Sequence, residues 1–430
     1  MARQRPMNRG AGSKGRVLFL VENAPVPADR RVWNEAQTLA EAGFGVSIVC
    51  AKWGFARYYE ELEGIRIYRV PLPSLGGMAG HLVEYVIATP ILFLFTCLVF
   101  FREGFDVIHA ANPPDFLYAI ARVFKVLGKK FVFDQHDVVP EACGTRWSGI
   151  KLRLTQAIAR WTERASYRAA DVVITTNESV RRLALERGGV AADRVFVVRN
   201  AIRRSHFHFR DARPRPELRR GRRHMVFYAG VIGPDDGLDQ LVLAVHHIVT
   251  ERGRRDIHFA VLGDGDCLPE IKQMSRRLGV QDDIEFTGWV KDDRVIAEYL
   301  ATADVGVVPD PKSPVNDLCS MNKMVEYMAL GKPVVAFDLT EAQETAQGAA
   351  VYVATNGRSD PAAFGDRILE LLSSPETREV MGRIGRQRFG DVLAWEHQQA
   401  NLLRAYQTLL GRAEAASASP APDLVKSTTT

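Results

Sequence analysis

Cysteine is scarce in this sequence, and its placement excludes two common uses of the residue. Five cysteines are scattered over 430 residues without a C-x-x-C pair: Cys50, Cys97, Cys143, Cys267 and Cys319. This spacing argues against a zinc site and against a disulfide-stapled secreted domain, and it fits a reducing cytoplasm. Residues 1–14 are polar and basic and contain no apolar core, so we expect no secretory signal in them.

Two further absences narrow the class of protein. The loop from Glu22 to Arg31 lacks G-x-G-x-x-G, which counts against a nicotinamide or flavin enzyme. The uncharged run from Tyr85 to Phe101 has seventeen residues, whereas a membrane-spanning helix needs about 20. A span there would also put strands of one sheet on opposite sides of the membrane. We therefore interpret residues 82–101 as a helix that is either buried or lies in a membrane interface.

A second segment bears on that choice. Between Trp147 and Arg168 five basic residues alternate with apolar ones, which predicts a basic amphipathic helix. Such a helix attracts anionic lipid, but it is also typical of a solvated surface. The sequence leaves both interpretations open.

What the chain does contain is a repeated alternation of strands and helices. Its 47% hydrophobic and 25% charged residues are those of a globular protein, and 430 residues exceed what one core supports. Short apolar runs followed by helices predict α/β domains with parallel sheets. We predict a Rossmann-like domain at 15–202, an arginine-rich linker at 203–223, a second Rossmann-like domain at 224–390, a crossover helix at 391–412 and a disordered tail at 413–430.

The net charge of +5 does not indicate a nucleic-acid partner. Arginine clusters account for it, above all the nine arginines of the predicted linker. Phe207 and Phe209 are the only large aromatic residues in that segment, too few for a base-stacking platform.

The most informative stretch is 309–336, which reads as loop, helix, tight turn and strand. Ser320 is a suitable N-cap for a helix over 321–330. A helix N-terminus carries unpaired N–H groups and the positive end of the macrodipole, so it attracts anions. This stretch therefore predicts an anion site at the start of the helix.

Two charged residues on this helix sharpen the prediction. Lys323 lies in the first turn, where a cation is unfavourable to the helix itself, so it indicates an anionic partner such as a phosphate. Glu326 lies three residues further on and shares a face with Lys323, where it could hold a ribose diol. The alternative interpretation is an ordinary i,i+3 surface ion pair.

Polar loops follow several predicted strands of the first domain. They begin at Asn112, Asp134, Thr175 and Arg199. Ligands of open α/β sheets bind outside the carboxyl ends of the strands, so these loops should line one rim. His136, in the second of them, is either a substrate contact or a structural histidine.

The start of the first predicted helix lies at the same rim. Asp29, Arg30 and Arg31 come there, and with Asn112 they are candidates for the acceptor side. The alternative for the two arginines is a solvated helix start, with Arg31 four residues before Glu35.

The order of these elements resembles the retaining family-4 glycosyltransferases of the GT-B fold, from about residue 16 to residue 410. Seven segments carry the resemblance: Asp29-Arg-Arg-Val-Trp-Asn-Glu-Ala, Asp134-Gln-His-Asp-Val-Val-Pro-Glu, Asn200, Gly230, Gly263-Asp-Gly, Phe286-Thr-Gly-Trp-Val and Asn322-Lys-Met-Val-Glu-Tyr-Met-Ala-Leu-Gly-Lys-Pro-Val-Val. The Asn-Lys before the glutamate is similar to a branch of the family involved in surface polysaccharide assembly. The fold this implies is α/β, with two Rossmann-like domains facing across a cleft and a C-terminal helix crossing back to the first domain.

The resemblance assigns roles to particular residues. Glu326 would hold the ribose of a nucleotide-sugar, the amides around Met321 and Asn322 its diphosphate, and the backbone at Val290 its base. His136 would face the donor sugar. Gly230 belongs to the donor-binding set through its place in the glycine-containing loop.

Two departures from the family pattern stand out. A second glutamate that such enzymes often carry eight positions before the ribose one is Leu318 here, and Asn316, Asp317 or Ser320 could substitute for it. Such enzymes usually carry two basic residues in the glycine-containing loop. Val231 and Asp236 occupy those two positions here. Lys323 then becomes the expected cation for the leaving group.

The expected activity is transfer of a sugar from a nucleoside-diphosphate donor to a glycan or lipid-linked acceptor with retention of anomeric configuration. The clearest D-x-D, Asp264 to Asp266, overlaps the Gly-Asp-Gly turn, so we expect no metal and no cofactor beyond the donor. We expect a cytoplasmic protein, attached peripherally to the inner face of the plasma membrane if 82–101 lies in the interface. The alternatives are a non-catalytic nucleotide-sugar-binding partner and a GT-B-like sugar-nucleotide epimerase.

Overall fold

The computed structural model describes residues 14–54, 56–72, 78–146, 149–204, 212–355 and 357–411. The predicted tail at 413–430 lies outside the described residues, as do Trp147, Phe207 and Phe209.

The first half of the chain builds one eight-stranded sheet in the order β3-β4-β2-β1-β5-β6-β7-β8. Its strands are β1 (Arg16–Val21), β2 (Gly45–Ala51), β3 (Tyr59–Leu62), β4 (Ile65–Val70), β5 (Val107–Ala111), β6 (Lys130–Gln135), β7 (Val172–Thr175) and β8 (Val195–Val197). All neighbours are parallel except β3 and β4. Apolar runs such as Arg16–Val21 are buried on both faces, as a parallel sheet between helices requires.

The second half builds a six-stranded parallel sheet in the order β11-β10-β9-β12-β13-β14. Its strands are β9 (His224–Ala229), β10 (Ile257–Leu262), β11 (Ile284–Gly288), β12 (Val305–Val308), β13 (Val334–Phe337) and β14 (Ala350–Val353). The chain order reverses beside β9, and such a switch point opens a crevice at the carboxyl ends of the strands. The predicted fold class is confirmed.

Fourteen helices cover the two sheets within the described residues. They are α1 (Arg30–Glu41), α2 (Met78–Arg102), α3 (Tyr118–Lys125), α4 (Val139–Arg146), α5 (Gly149–Ala169), α6 (Glu178–Glu186), α7 (Leu238–His246), α8 (Leu268–Arg277), α9 (Asp293–Thr302), α10 (Asn322–Ala329), α11 (Thr340–Ala346), α12 (Pro361–Ser373), α13 (Pro375–Arg388) and α14 (Trp395–Leu409). On the first sheet, α1 and α14 pack on one face and α2, α3 and α5 on the other.

The crossover helix α14 returns to the first domain, as predicted. Trp395 is fully buried there, and its indole N–H donates to the Thr38 hydroxyl at 2.9 Å. The Tyr406 hydroxyl lies 2.9 Å from Nδ1 of His109, which sits on β5. The last helix of the described residues therefore completes the core of the first domain.

The helix predicted at 82–101 is half-buried rather than enclosed. Its inner face, with Leu92 and Val99, packs into the core, whereas Leu94, Leu98 and Phe101 are exposed. The interpretation as a fully buried helix is therefore wrong for this outer face. Among the described residues, no helix combines the length and apolarity needed to cross a bilayer.

Within the arginine-rich segment, residues 212–223 are bound to the second domain by ion pairs, whereas Arg203 pairs with Glu41 of the first domain at 2.9 Å. Arg215 pairs with Glu298 at 2.8 Å, and Arg219 with Asp304. Acidic partners within the protein thus account for much of the charge in this segment.

Replacement of Trp395 by alanine should test whether α14 is part of the first-domain core. We expect Trp395→Ala to lower the free energy of unfolding by about 3–5 kcal/mol, because it leaves a large cavity. Denaturant unfolding measures the change. Val392→Ala, at an exposed site nearby, is the control and should cost less than about 0.5 kcal/mol. Equal effects of the two variants would contradict the packing described here.

Candidate active site

A cleft of about 680 Å³ separates the two domains. Its lining combines the start of α1 and the loops after β6 and β8 with the glycine-containing loop after β9 and the first turns of α9 and α10. The lining residues are Asn23, Ala28, Asp29, Arg30, Arg31, Trp33, Asn34, His136, Asp137, Asn200, Ala201, Ile202, Arg203, Val231, Trp289, Asp293, Asn322, Val325 and Glu326. Five predicted site residues meet here: Asp29, Arg30, His136, Asn322 and Glu326.

The N-terminus of α10 opens into this cleft without a capping side chain. The N-cap is Met321 rather than Ser320, so that prediction is wrong. The Ser320 hydroxyl instead accepts a hydrogen bond from the Asn177 side chain at 3.1 Å, because the chain before the helix is held against the first domain. Among the described residues, no side chain accepts a hydrogen bond from the amides of the first turn, which suits an anionic ligand.

Glu326 does not pair with Lys323, so the interpretation as an i,i+3 ion pair is wrong. Its carboxylate lies 3.7 Å from the Arg30 guanidinium of the opposite domain, and Arg30 also binds Asp293 at 2.6 Å. Burial raises the pKa of Glu326, and the charge of Arg30 partly offsets that rise. Arg30 thus joins the two domains across the cleft and occupies the carboxylate expected to hold ribose.

Lys323 is already paired within the protein and does not line the cleft. Its Nζ lies 2.9 Å from both oxygens of Asp310 and 3.3 Å from Asp236. Burial lowers the pKa of Lys323, but the two carboxylates raise it more, so its pKa is raised overall. Burial also raises the pKa of Asp310 to about 6. The anionic partners of Lys323 within the protein are therefore the carboxylates of Asp310 and Asp236.

Two other predicted donor residues belong to the loops around the cleft. The Asn316 amide donates to the carbonyls of Asp235 and Pro311 at 2.8 and 2.9 Å, which joins the glycine-containing loop to the loop before α10. Gly230 packs so closely on Gly263 that a Cβ on the latter would lie 1.8 Å from the Gly230 oxygen. These contacts fix the shape of the cleft wall.

An exposed tryptophan lies beside Val290, the residue predicted to contact the base. Val290 is partly buried and packs against the second-domain core, whereas the preceding Trp289 is exposed and lines the cleft. A flat aromatic surface at this position suits stacking against a nucleobase. The Gly-Trp-Val segment is the signal for this position in the sequence, and Trp289 is its residue that reaches the cleft.

His136 lies in the cleft wall and is held by Asp134. Its Nε2 hydrogen-bonds to the Asp134 carboxylate, and its backbone N–H donates to the Asn112 side chain at 2.6 Å. The bond to Asp134 leaves the other ring nitrogen, Nδ1, for a ligand. Sequence reasoning missed Asp134 as a site residue, although an acid two positions before the histidine was the available signal.

Asn112 is not an acceptor-side residue. It is buried, its oxygen accepts from the amides of His136 and Asp137, and its nitrogen donates to Asp115 at 2.7 Å. A side chain saturated in this way holds the His136 loop and has no group left for a substrate. That prediction is therefore corrected.

Beneath the cleft lies a buried cluster of charges. The Arg31 guanidinium binds Asp134 at 2.7 Å and Glu35 at 3.2 Å, and Nε2 of His109 lies 3.4 Å from an oxygen of each acid. Burial raises the pKa of Asp134, but the charges of Arg31 and His136 lower it by more. The pKa of Asp134 is therefore held well below its usual value. Burial and the charge of Asp134 raise the pKa of Glu35 well above its usual value. Arg31 is thus a buried partner of Asp134 and not a solvated helix start.

Glu35, His109 and Asp134 are also the residues best placed to hold a metal ion among those described. Arg31 already supplies the positive charge that a cation would bring to Asp134 and Glu35. Burial lowers the pKa of His109, which favours its neutral form. Arg31 thus offsets the charge of Asp134, whereas burial favours the neutral forms of Glu35 and His109.

Two facing Rossmann-like domains with a cleft of this composition define the GT-B class of glycosyltransferase folds. Residues 28–206 match the family described as Glycosyltransferase Family 4, and residues 223–374 match Glycosyl transferases group 1. The two matches together cover most of the chain. The chain belongs to the family-4 glycosyltransferases.

Curated relatives are distant and only partly aligned. An alpha-D-kanosaminyltransferase of Streptomyces kanamyceticus is 24% identical over 53% of this chain and 58% of its own length. A GDP-mannose-dependent alpha-(1-6)-phosphatidylinositol monomannoside mannosyltransferase of Mycobacterium tuberculosis is 31% identical over 45% of this chain and 50% of its own length. The chain thus spans little more than half the length of these relatives.

The fold itself is matched over nearly the whole chain. Sucrose-phosphate synthase of Thermosynechococcus elongatus superposes with a TM-score of 0.74 at 18% identity, covering 93% of this chain and 100% of that structure. At this identity the match establishes the GT-B fold.

Asp115, the buried hydrogen-bond partner of Asn112, should make the free energy of unfolding depend on pH. Burial raises the pKa of Asp115 from 3.8 to about 8 in the folded protein. The unfolded chain therefore loses this proton first, and the contribution of Asp115 to stability declines between about pH 4 and pH 8. We expect Asp115→Asn to remove that decline, so its stability relative to wild type rises through this window and then levels off.

Urea unfolding at a series of pH values measures the difference. The control is Asp193→Asn, at an exposed aspartate, whose difference from wild type should stay flat with pH. A flat difference for Asp115→Asn as well would show that the carboxyl is ionised in the folded protein.

Proposed function

We propose that the chain is a retaining, metal-independent glycosyltransferase that moves a sugar from a nucleoside-diphosphate donor to a glycan or lipid-linked acceptor. One observation carries the proposal: the uncapped N-terminus of α10 opens into the cleft one turn before Glu326, opposite His136 of the other domain. The amides that can bind an anion, the Glu326 carboxylate that can accept hydrogen bonds from a diol, and the His136 ring nitrogen then face the same part of the cleft. The nucleotide-sugar specificity in the name of the mycobacterial relative supports the same donor class.

The donor would lie along the second domain. Glu326 binds the ribose hydroxyls, the amides of Asn322 and Lys323 receive the diphosphate, and the Trp289–Val290 segment receives the base. Nδ1 of His136 accepts a hydrogen bond from a hydroxyl of the donor sugar. Because Asp134 fixes the ring, this contact needs no reorganisation during reaction.

The reaction breaks the bond between the anomeric carbon and the diphosphate oxygen. Negative charge grows on the leaving diphosphate, and the first-turn amides of α10 stabilise it more than they stabilise the intact donor. The acceptor hydroxyl attacks from the same face, and its proton passes to a leaving phosphate oxygen. Configuration is retained because the new bond forms on the face that the old bond leaves.

We assign Lys323 as the cation of this site. Asp310 is its buried partner, while Asp236 lies at the partly exposed end of the glycine-containing loop. A diphosphate oxygen would replace Asp236 beside Nζ and keep the Asp310 pair intact. This exchange gives the ammonium group a stronger partner as charge develops on the phosphate.

The acceptor would approach from the first domain beside Asp29 and Arg30, which line the opposite wall of the cleft. None of the five cysteines is joined in a disulfide, which supports a cytoplasmic location. We place the protein at the inner face of the plasma membrane, attached peripherally.

Donor binding and slow donor hydrolysis test this assignment. UDP-, GDP- and ADP-sugars are offered with EDTA present, and we expect one of them to be bound and cleaved. Glu326→Gln should weaken its binding by roughly 10- to 100-fold, because a hydrogen bond to a charged group contributes about 1.5–3 kcal/mol. Glu379→Gln, at an exposed glutamate of α13, is the matched control and should bind as wild type does.

A substitution of Lys323 alone would leave its buried partner Asp310 without a counter-charge, so both residues are changed together. The double variant Lys323→Met with Asp310→Asn removes both charges and avoids an unpaired buried carboxylate. We expect it to fold, to bind the donor and to lose turnover. Binding without turnover in the wild type would favour a nucleotide-sugar-binding partner, and reaction without an acceptor product would favour an epimerase.

The contact between Arg30 and Glu326 gives a separate prediction. Arg30 must leave Glu326 before ribose can bind there, so Arg30→Ala should tighten donor binding by up to about fivefold, the range of an exposed ion pair. Titration calorimetry at low salt measures the change, and high salt should reduce it. Arg294→Ala, at an exposed arginine on α9, is the control. Weaker binding by Arg30→Ala would make Arg30 a donor ligand instead.

A further inference from the structure

One face of the first domain is formed by three adjacent helices, α2, α3 and α5. The Phe100 ring of α2 lies 5.3 Å from that of Phe124 on α3, and the Tyr118 ring of α3 lies 6.4 Å from that of Trp161 on α5. All three helices pack on the same side of the eight-stranded sheet. Their outer sides therefore form one continuous surface.

This surface carries large apolar side chains that have no core to enter. We call it the apolar face and define it by its exposed members: Ile87, Leu94, Leu98, Phe101, Val123, Val126, Leu127, Ile150, Leu154, Ile158 and Trp161. Phe101, Val126 and Ile150 are 84%, 86% and 84% exposed. On α2 and α5 the members recur at spacings of three, four and seven residues, which is one helical stripe pointing away from the sheet. An exposed apolar surface of this extent marks an interaction site.

The charges around the apolar face have one sign. Five exposed cations of α5 lie among its members, and none of them has an ion-pair partner within the described residues: Lys151, Arg153, Arg160, Arg164 and Arg168. The acidic residues of the three helices, Glu84 and Glu163, are both buried. A surface that is apolar and positive matches the boundary between the acyl chains and the headgroups of anionic lipid.

The same charge pattern decides against a second copy of the chain as the occupant. A symmetric dimer through this face would bring the five cations of each copy together without an acidic residue to pair with them. A bilayer meets both requirements, since it buries apolar side chains and supplies phosphate groups for the arginines. Trp161, beside the cations, has the amphipathic ring that is enriched at membrane interfaces.

We propose that the apolar face is a docking surface for an anionic phospholipid bilayer, with α2, α3 and α5 lying on the membrane. Helices that connect parallel strands run back from the carboxyl ends of the sheet, so α2 and α5 both begin on the cleft side. Docking would therefore hold the entrance of the cleft beside the lipid surface. The inference goes beyond glycosyl transfer and does not depend on it, because vesicle binding requires no donor.

Co-sedimentation with vesicles tests the docking surface. The full-length protein is mixed with phosphatidylglycerol–phosphatidylcholine vesicles and with pure phosphatidylcholine vesicles at low and high salt. We expect binding to the anionic vesicles that weakens as salt is raised. The apolar variant Leu94→Asn/Leu98→Asn/Phe101→Asn should bind at least tenfold more weakly at both salt concentrations.

The charge variant Lys151→Gln/Arg153→Gln/Arg160→Gln should bind anionic vesicles roughly a hundredfold more weakly and lose most of the salt dependence. Two controls alter three residues each on other surfaces, Val380→Asn/Ile384→Asn/Val392→Asn for apolar exposure and Arg276→Gln/Arg277→Gln/Arg294→Gln for charge. Both controls should bind as wild type does. Because every altered side chain is exposed, melting temperatures should stay close to that of the wild type and confirm that the variants fold.

Three outcomes would overturn the proposal. The first is no binding of the wild type to anionic vesicles, and the second is equal loss in the control variants. The third is a dimer in light scattering that the apolar variant abolishes while vesicle binding is absent, which would assign the face to a second copy of the chain.

Discussion

The ion pair between Arg31 and Asp134 sets the geometry on which the cleft depends. Both groups are buried, so the separation of either from its partner would leave a charge without water, at a cost of about 3–5 kcal/mol. Arg31 also donates to the Val198 carbonyl at 2.6 Å and to the Asn200 side chain at 3.0 Å. One side chain therefore fixes α1, the end of β6 and the segment after β8 relative to one another, and His136 takes its position from Asp134.

The two walls of the cleft are built on different principles. The first-domain wall is a rigid hydrogen-bonded network under His136, in which buried polar groups are held by several partners. The second-domain wall offers the backbone amides at the start of α10 and the partly exposed Glu326, whose carboxylate is held by Arg30 across the cleft. The two walls complement each other, because the His136 ring lies on the first domain and the uncapped start of α10 on the second. The relative position of the domains is thus part of the site.

Local sequence patterns predicted the fold well because they follow directly from burial. The strand at Val334–Phe337 and the crossover helix are examples of apolar periodicity read correctly. The errors concern partners that are distant in sequence. Asn112 resembled a loop residue open to substrate, yet its partners at residues 136 and 137 saturate it. Lys323 resembled a free cation, yet Asp310 and Asp236 reach it only through the tertiary fold.

The return of α14 to the first domain affects how the protein folds while it is being synthesised. Trp395 and Tyr406 fill the core on the face of the first sheet that α1 covers only in part. The strands of that sheet are complete at Val197, so the part of the sheet surface that α14 covers stays open until the second domain has been made. At ordinary translation rates that interval lasts roughly 10–40 s. During it, the nascent chain presents an unfinished apolar surface that a ribosome-associated chaperone is suited to cover.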